Sequence, residues 1–507
     1  MEVLLSLTLI FGVCIVFKNW IAAFIIRWKY SKYSNVYMSP SFSPIQGERA
    51  VIKAQGKQKY RFWHLMEVAM KKPDCDIRIV FSGTKPLFLI YSAQACKEFF
   101  KLVPTRIDRH SNHLKHFGRM NKGAIDQIKS SPMWKSRRDK IMKVIGINFS
   151  TKFIPLILDS FHEISATWRE NQWFNITNQM KKVMFSVTTK ILFGKDIPVE
   201  NAYTYITSCG DTIHITLEEY FSKLIEDLEK SSALIKNRLC PYLSKAGLTT
   251  SNKACEQNIE NLWEILLKIC QSSEDQDSVF KHRTNVCYDK KIVLMDIITV
   301  YIAGYDPTSH ALASILFNIK ANERVFTKVM KEVKSNYDRN EKSIDAKRKM
   351  LDSCEYLDMT IKESLRHSNP AFFSLGYKSL DEISICGVTI PKGATIFQCL
   401  HALHYNSNEW INPMEFIPER FDPDSHYFTT PSSNGTKQRS RYSYNPFSTN
   451  LRRCPGKNLA MLELKLIVAE FLSKFNYTIS PEQISNKYLR FSLRSQFSCI
   501  ISITGTI

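Results

Sequence analysis

From about Met133 to about Lys334 the sequence is written mostly in a helical period, as long amphipathic stretches broken by polar loops and with no internal repeat. Within it a long apolar helix runs from about Lys291 to Ala321. Strands are fewer and short. Ile77 to Phe81 and Pro86 to Tyr91, on either side of Ser82-Gly83-Thr84, predict a hairpin, after which Ser92 caps a helix from Ala93 to Phe100. A second strand-rich patch covers Glu382 to Phe397, around Gly387 and Pro391-Lys392-Gly393. No linker long enough to divide residues 36–507 is visible, although 507 residues would by length alone suggest about three domains. The expected fold is therefore mainly α with small β-sheets (α+β): one helix-rich domain over 36–507 behind an amino-terminal segment, 1–35.

That segment reads as a membrane anchor. Val3 to Phe17 is apolar apart from Ser6, Thr8 and small residues, and after Lys18-Asn19 a second apolar stretch runs from Trp20 to Ile26. Together they supply the roughly 20 helical residues that a bilayer core of about 30 Å requires. Glu2 leaves no basic region ahead of the apolar run, and no small-residue cleavage site follows it, so an uncleaved anchor is favoured over a signal peptide. Lys18, Arg27, Lys29 and Lys32 then predict a single pass with the bulk of the chain in the cytosol. The 13 cysteines are scattered, with no CxxC pair or zinc spacing, which fits a reducing compartment. Ser39 to Pro44 reads as a stiff hinge. A net charge of +21 asks for an acidic counterpart: nucleic acid, anionic lipid or an acidic protein. Nucleic acid is excluded, because no zinc-finger or RNA-binding signature accompanies the anchor.

The stretch richest in chemistry is Phe447-Ser448-Thr449-Asn450-Leu451-Arg452-Arg453-Cys454-Pro455-Gly456, followed by a helical run from Lys457 to Lys474. A cysteine at the mouth of a helix, flanked by Arg452 and Arg453, is expected to be held as thiolate by the helix dipole and by positive charge. Such a thiolate can ligate haem iron and push electron density toward an oxygen ligand. The bland alternative is a structural cysteine in a basic loop.

The order F-x-x-x-x-R-x-C-x-G followed by Ala460 resembles the haem-binding signature of the cytochrome P-450 family. The family usually has glycine where this chain has Asn450, a residue that tolerates positive φ. The resemblance implies haem b (iron protoporphyrin IX), with Cys454 as metal ligand and Phe447, Arg452 and Gly456 among the cofactor-binding residues. Three further motifs follow in the family's order. Glu363-Ser364-Leu365-Arg366 resembles E-x-x-R, whose i, i+3 spacing allows an ion pair, and Arg420 in Phe416 to Phe421 would complete a structural network with it. Trp134 and Arg138 resemble W-x-x-x-R, where an arginine fork suits a haem propionate. At a further propionate position the family often has Arg or His, and this chain has Tyr377.

Ala303-Gly304-Tyr305-Asp306-Pro307-Thr308 resembles A-G-x-[D/E]-T-T, the segment crossing the distal face of the haem. There Gly304 would let oxygen and substrate approach the backbone, while Asp306 and a threonine would order water and deliver protons. The first threonine is Pro307 here, which carries neither hydroxyl nor N–H, so Thr308 is the candidate substitute. The implied activity is a haem-thiolate monooxygenase inserting one atom of dioxygen into a lipophilic substrate such as a sterol, fatty acid or xenobiotic. The alternatives are a haem-thiolate isomerase or dehydratase working without external electrons, and a non-catalytic anchored haem-binding protein. Implied partners are an NADPH-dependent flavoprotein reductase, a cytochrome b-type electron donor and membrane lipid, with residence in the endoplasmic reticulum membrane. Basic residues Lys135, Arg137, Lys140 and Lys143, and Lys437, Arg439, Arg441, Arg453 and Lys457, are expected to steer the acidic reductase.

Overall fold

Ser92 accepts a hydrogen bond from the Ala95 N–H at 3.0 Å, and the helix it opens runs Ala93–Leu102. Its five buried residues, among them Cys96, Phe99 and Phe100, recur at helical spacing and turn one face into an apolar core. The same logic builds the other helices of this computed structural model, which describes residues 17, 20–40, 63–82, 85–109, 120, 121, 123–146, 150–194, 202–233, 250–271, 290–432, 435–485 and 498–507. The helices needed below, in chain order, are α1 (20–30), α2 (Ala93–Leu102), α3 (Pro132–Ile145), α4 (Ile176–Phe193), α5 (Lys290–Lys320), α6 (Glu355–His367) and α7 (Lys457–Lys474).

The chain divides into two interleaved units. The first takes Met1–Asp108, Met359–Arg453 and Glu482–Phe497, and the second takes Arg109–Asp358, Cys454–Pro481 and Ser498–Ile507. The first unit carries a six-stranded sheet in the order Val36–Tyr37, Ile77–Ser82, Lys85–Ile90, Thr395–Gln398, Tyr377–Ser379, Ile107–Arg109. The expected hairpin supplies its second and third strands: Ile77–Ser82 and Lys85–Ile90 pair antiparallel, with Ile79 opposite Phe88. The strand-rich patch resolves into the antiparallel pair Ile383–Ile385 and Val388–Ile390, followed by Thr395–Gln398. Gly387 at φ +75° and Gly393 at φ +80° make the turns that side chains with a Cβ resist.

Helix α1 packs on this unit, with Ala23 and Tyr30 buried in its core and the Tyr30 hydroxyl donating to the Thr389 carbonyl at 2.7 Å. Its opposite face leaves Trp20, Phe24 and Trp28 exposed. Residues 1–16, 18 and 19, most of the expected anchor, lie outside the described residues, as does most of the expected hinge. Among the described residues no helix is long and apolar enough to cross a membrane.

In the second unit α5 is the central column. Its Tyr301 is fully buried, stacked on Phe221 at 4.8 Å and hydrogen-bonded to Thr189 of α4. The Tyr477 hydroxyl donates to the α5 carbonyl of Leu316 at 2.8 Å. Helix α5 runs through Pro307 without interruption, although a proline removes one backbone N–H from the helix interior. The region from 133 to 334 is less uniformly helical than its pattern suggests, because Tyr203–Ile206 and Thr212–Ile215 form an antiparallel hairpin. The Tyr, Thr and Ile residues that favour strands occur there in runs too short to stand out from amphipathic helix.

Candidate active site

Within the second unit, Cys454 sits two residues ahead of Gly456, the N-cap of α7. Its side chain is exposed, yet the protein around it is dense enough that desolvation raises the thiol above its ordinary pKa. The Gly456 and Lys457 N–H groups and the Arg138 guanidinium pull the other way and do not prevail. An accessible sulfur amid dense protein describes a recess. Burial thus outweighs the helix terminus at this thiol, and the arginine that acts on it is Arg138. A bound metal reverses that balance, since a coordinating thiol is deprotonated outright. Gly456 has φ −84°, which any residue adopts, and a Cβ there would lie 3.9 Å from the Cys454 Sγ. A methyl there would meet the donor atom in ordinary van der Waals contact and would not strain the backbone.

Helix α3 starts at Ser131, whose hydroxyl accepts from the Trp134 N–H, with Pro132 in the first turn. Trp134 is buried, and one turn on the Arg138 guanidinium lies 5.6 Å from its ring centroid. Arg138 is half-exposed alongside this cation–π contact. Arg137, expected in a surface cluster, is instead buried. Its Nε donates to Asp296 Oδ2 at 2.9 Å, its Nη2 to Oδ1, and its Nη1 to the Gly123 carbonyl at 3.0 Å. An aspartate inside the apolar run of α5 was the signal available, because a buried carboxylate demands a cation.

On α5 most residues between Val293 and Ile319 are buried, but Thr299, Val300, Ile302, Ala303, Gly304 and Pro307 remain accessible, Ala303 most of all. Thr299, Ala303 and Pro307 follow i, i+4, i+8 and form one open strip. Gly304 lies at the edge of that strip, and a Cβ on it would meet Thr188 of α4 at 3.1 Å. Its missing side chain serves helix contact, so the close approach it permits is that of α4. Asp306 is buried, with Oδ1 3.5 Å from His310 Nε2 and 3.9 Å from Lys181 Nζ. Thr308 is buried as well.

In the first unit Glu363 and Arg366 of α6 form a fully buried pair at 2.8 Å, and Arg420 Nε joins Glu363 at 3.2 Å. The expected network is present and buried. Arg452 is buried with Nη2 3.3 Å from Asp108 Oδ1, and Phe447 is half-buried. Asn450 has φ +64°, as its place in the loop pattern anticipated, and its amide donates to the Phe100 carbonyl at 3.0 Å. Tyr377 is buried edge-on to Phe99 at 5.0 Å. Of the second basic group, Arg439 stacks on Trp410 at 3.9 Å and donates to the Arg420 carbonyl, whereas Lys437, Arg441, Arg453 and Lys457 are exposed.

Residues 51–497 match the family described as Cytochrome P450. The chain belongs to that family. Cytochrome P450 3A28 of Bos taurus is 30% identical over 213 residues, 42% of this chain and 38% of that protein. The steroid 17-alpha-hydroxylase/17,20 lyase of Rattus norvegicus is 30% identical over 230 residues, 45% and 42% of the two chains. A trifunctional (S)-stylopine, (S)-nandinine and (S)-canadine synthase of Argemone mexicana is 24% identical over 302 residues, 59% and 56%. The chain thus spans 38 to 56% of the length of these relatives. Cytochrome P450 enzymes are haem-dependent monooxygenases whose prosthetic group is iron protoporphyrin IX. The residues of the second unit fit such a group in kind: an accessible sulfur in a recess, a half-exposed arginine acting on it, and a helix with one strip kept open.

Proposed function

We propose that this cytochrome P450 is a haem-thiolate monooxygenase inserting one atom of dioxygen into a lipophilic substrate. The observation that carries the reading is Cys454, an exposed sulfur in dense surroundings at the start of α7. When bound, haem b supplies the activation of dioxygen. Cys454 Sγ would ligate its iron, and the N–H groups of Gly456 and Lys457 stabilise negative charge on that sulfur. Arg138, steadied by Trp134, would pair with a propionate through its planar fork. Arg452 and Phe447 are assigned cofactor roles by the residue pattern of the loop. The open strip of α5 offers a mainly apolar wall of Val300, Ala303 and Pro307, which orders a lipophilic substrate and excludes water. Asp306, whose Oδ1 lies near His310 and Lys181, would be the entry point for protons, with Thr308 as the candidate hydroxyl.

Electrons would come from an NADPH-dependent flavoprotein reductase or a cytochrome b-type donor, steered by exposed Lys135, Lys143, Arg441, Arg453 and Lys457. Residues 1–35 would be a single-pass anchor in the endoplasmic reticulum membrane, leaving 36–507 as a cytosolic haem domain. The apolar sequence of residues 3–17 and the exposed Trp20, Phe24 and Trp28 support that reading. A second reading, an isomerase or dehydratase needing no external electrons, is favoured by one observation: the open strip presents a proline at 307, where the family's pattern has a hydroxyl.

The carbon monoxide difference spectrum of the reduced protein tests the first reading. The strongly red-shifted Soret band of thiolate ligation is expected in the wild type and absent in Cys454→Ala. A band that persists in Cys454→Ala, or never forms in the folded wild type, overturns it. Reductase-dependent NADPH consumption with a bound lipophilic compound separates it from the second reading, which requires none.

A further inference from the structure

An acidic side chain that no motif assigns lies beside the open strip of α5. Asp126 belongs to the second unit and is half-exposed, with Oδ1 3.5 Å from the hydroxyl of Thr299, the first residue of that strip. Its position is fixed from several sides. The Asn121 amide donates to Thr299 Oγ1 at 2.8 Å, and Gln127 donates to Asn121. The Ile125 N–H donates to Asp296 Oδ1 at 2.7 Å, and Arg137 holds the Gly123 carbonyl at 3.0 Å. Trp263 Nε1 donates to the Met120 carbonyl at 3.1 Å. A segment tied down on both sides of Asp126 presents its carboxyl in one place, which is what preorganised recognition needs.

Among the described residues the side-chain donor that reaches that carboxyl is Thr299, at the long distance of 3.5 Å. Thr299 has one hydroxyl hydrogen, and the Met295 carbonyl at 3.0 Å is the better acceptor for it. Desolvation pushes Asp126 up to about 6, and Asp296 adds to the rise, while its own backbone N–H, Arg109 and Thr299 pull down and do not restore the usual value. A half-exposed carboxylate short of donors, at one end of a strip otherwise lined by Val300, Ala303 and Pro307, favours a partner that brings its own donor.

Resting on the monooxygenase reading of that strip, we propose that Asp126 is the polar anchor of the substrate pocket. It takes lipophilic molecules that carry one hydrogen-bond donor, a hydroxyl or a protonated amine, and seats that donor about one helical turn from Ala303. The substrate class narrows from lipophilic compounds at large to those with a polar head on an apolar body.

The test is calorimetric binding to the holoenzyme of three probes on one frame: biphenyl-4-ylmethanol, its protonated N,N-dimethylamine counterpart and 4-ethylbiphenyl. The wild type should prefer the amine over the ethyl compound by about tenfold or more, the scale of a charge-assisted hydrogen bond, with the alcohol between. Asp126→Asn should bring the amine to within about threefold of the ethyl probe while the alcohol, still met by an amide carbonyl, changes less. Asp126→Leu should abolish both preferences. The carbon monoxide spectrum of each variant should stay unchanged, which separates this proposal from the assignment of Cys454. An amine preference that survives in Asp126→Asn, equal binding of the three probes by the wild type, or no binding of any of them, overturns it.

Discussion

Replacing Glu363 with glutamine should cost about 3–4 kcal/mol of stability, and the structure gives the reasons for that size. Glu363 Oε2 accepts from Arg366 Nε at 2.8 Å, and Oε1 accepts from Arg366 Nη2 at 2.8 Å, the Ile417 N–H at 2.9 Å and Arg420 Nε at 3.2 Å. The three side chains are 0% exposed. Glutamine keeps the volume, but it removes the negative charge between two buried cations and turns one edge into a donor facing donors. Burial, and then the charge of Arg366, push Arg420 down to about 10 even with Glu363 in place. Removing one partner of a buried pair costs about 3–5 kcal/mol. The lower half applies because the guanidinium groups keep carbonyl acceptors: His404 and Pro413 at 2.9 Å for Arg366, and Asn412 at 2.7 Å for Arg420. Against a total stability of about 5–15 kcal/mol, this is a large fraction. Urea midpoints of the holoenzyme measure it. A cycle with Arg366→Met should show the two losses to be non-additive, since the double variant buries one unpaired charge fewer than Glu363→Gln. A loss below about 1 kcal/mol in Glu363→Gln, or strict additivity, would refute the electrostatic account.

Two further outcomes follow from the second unit. Because a Cβ on Gly304 would press on Thr188 at 3.1 Å, Gly304→Ala should cost about 1 kcal/mol and Gly304→Val about 2–3 kcal/mol, with Thr188→Ala recovering most of the alanine loss; thermal midpoints that show no rescue would mean that the contact of α4 with α5 is not what selects glycine. Burial pushes the Glu218 carboxyl up to about 7 from 4.5, against the pull of Lys182. The folded state binds this proton more tightly, so the contribution is fully present below about pH 4.5 and lost as pH rises through about 7. Glu218→Gln should flatten the fall in stability across that window, and an unchanged slope in urea midpoints against pH would contradict it.

The legible features were those whose physics is local. Ser92 caps α2 because a side-chain oxygen three residues ahead of an N–H needs no tertiary help, and α7 begins at Lys457 and ends at Lys474 as its pattern indicates. Asn450 takes positive φ at the loop position read from its neighbours. Glu363 and Arg366 pair because i, i+3 side chains share a helix face. The hairpin at 203–215 escaped because runs of four residues cannot be told from an amphipathic helix by period alone.

The sequence by itself determined the family, the mainly helical architecture with small sheets, and the cysteine on which the proposed haem-thiolate function rests. Only the tertiary structure decided which charges are buried and which reach the surface. Arg137 and Arg138 are neighbours of the same type, yet one is buried on Asp296 and the other stays half-exposed near Cys454. It also turned Gly304 toward Thr188 and set Asp126 beside Thr299, 173 residues away in the chain. Spacing along a chain fixes which side chains share a helix face, but desolvation and pairing depend on what another element brings to that face, and a single sequence does not record that.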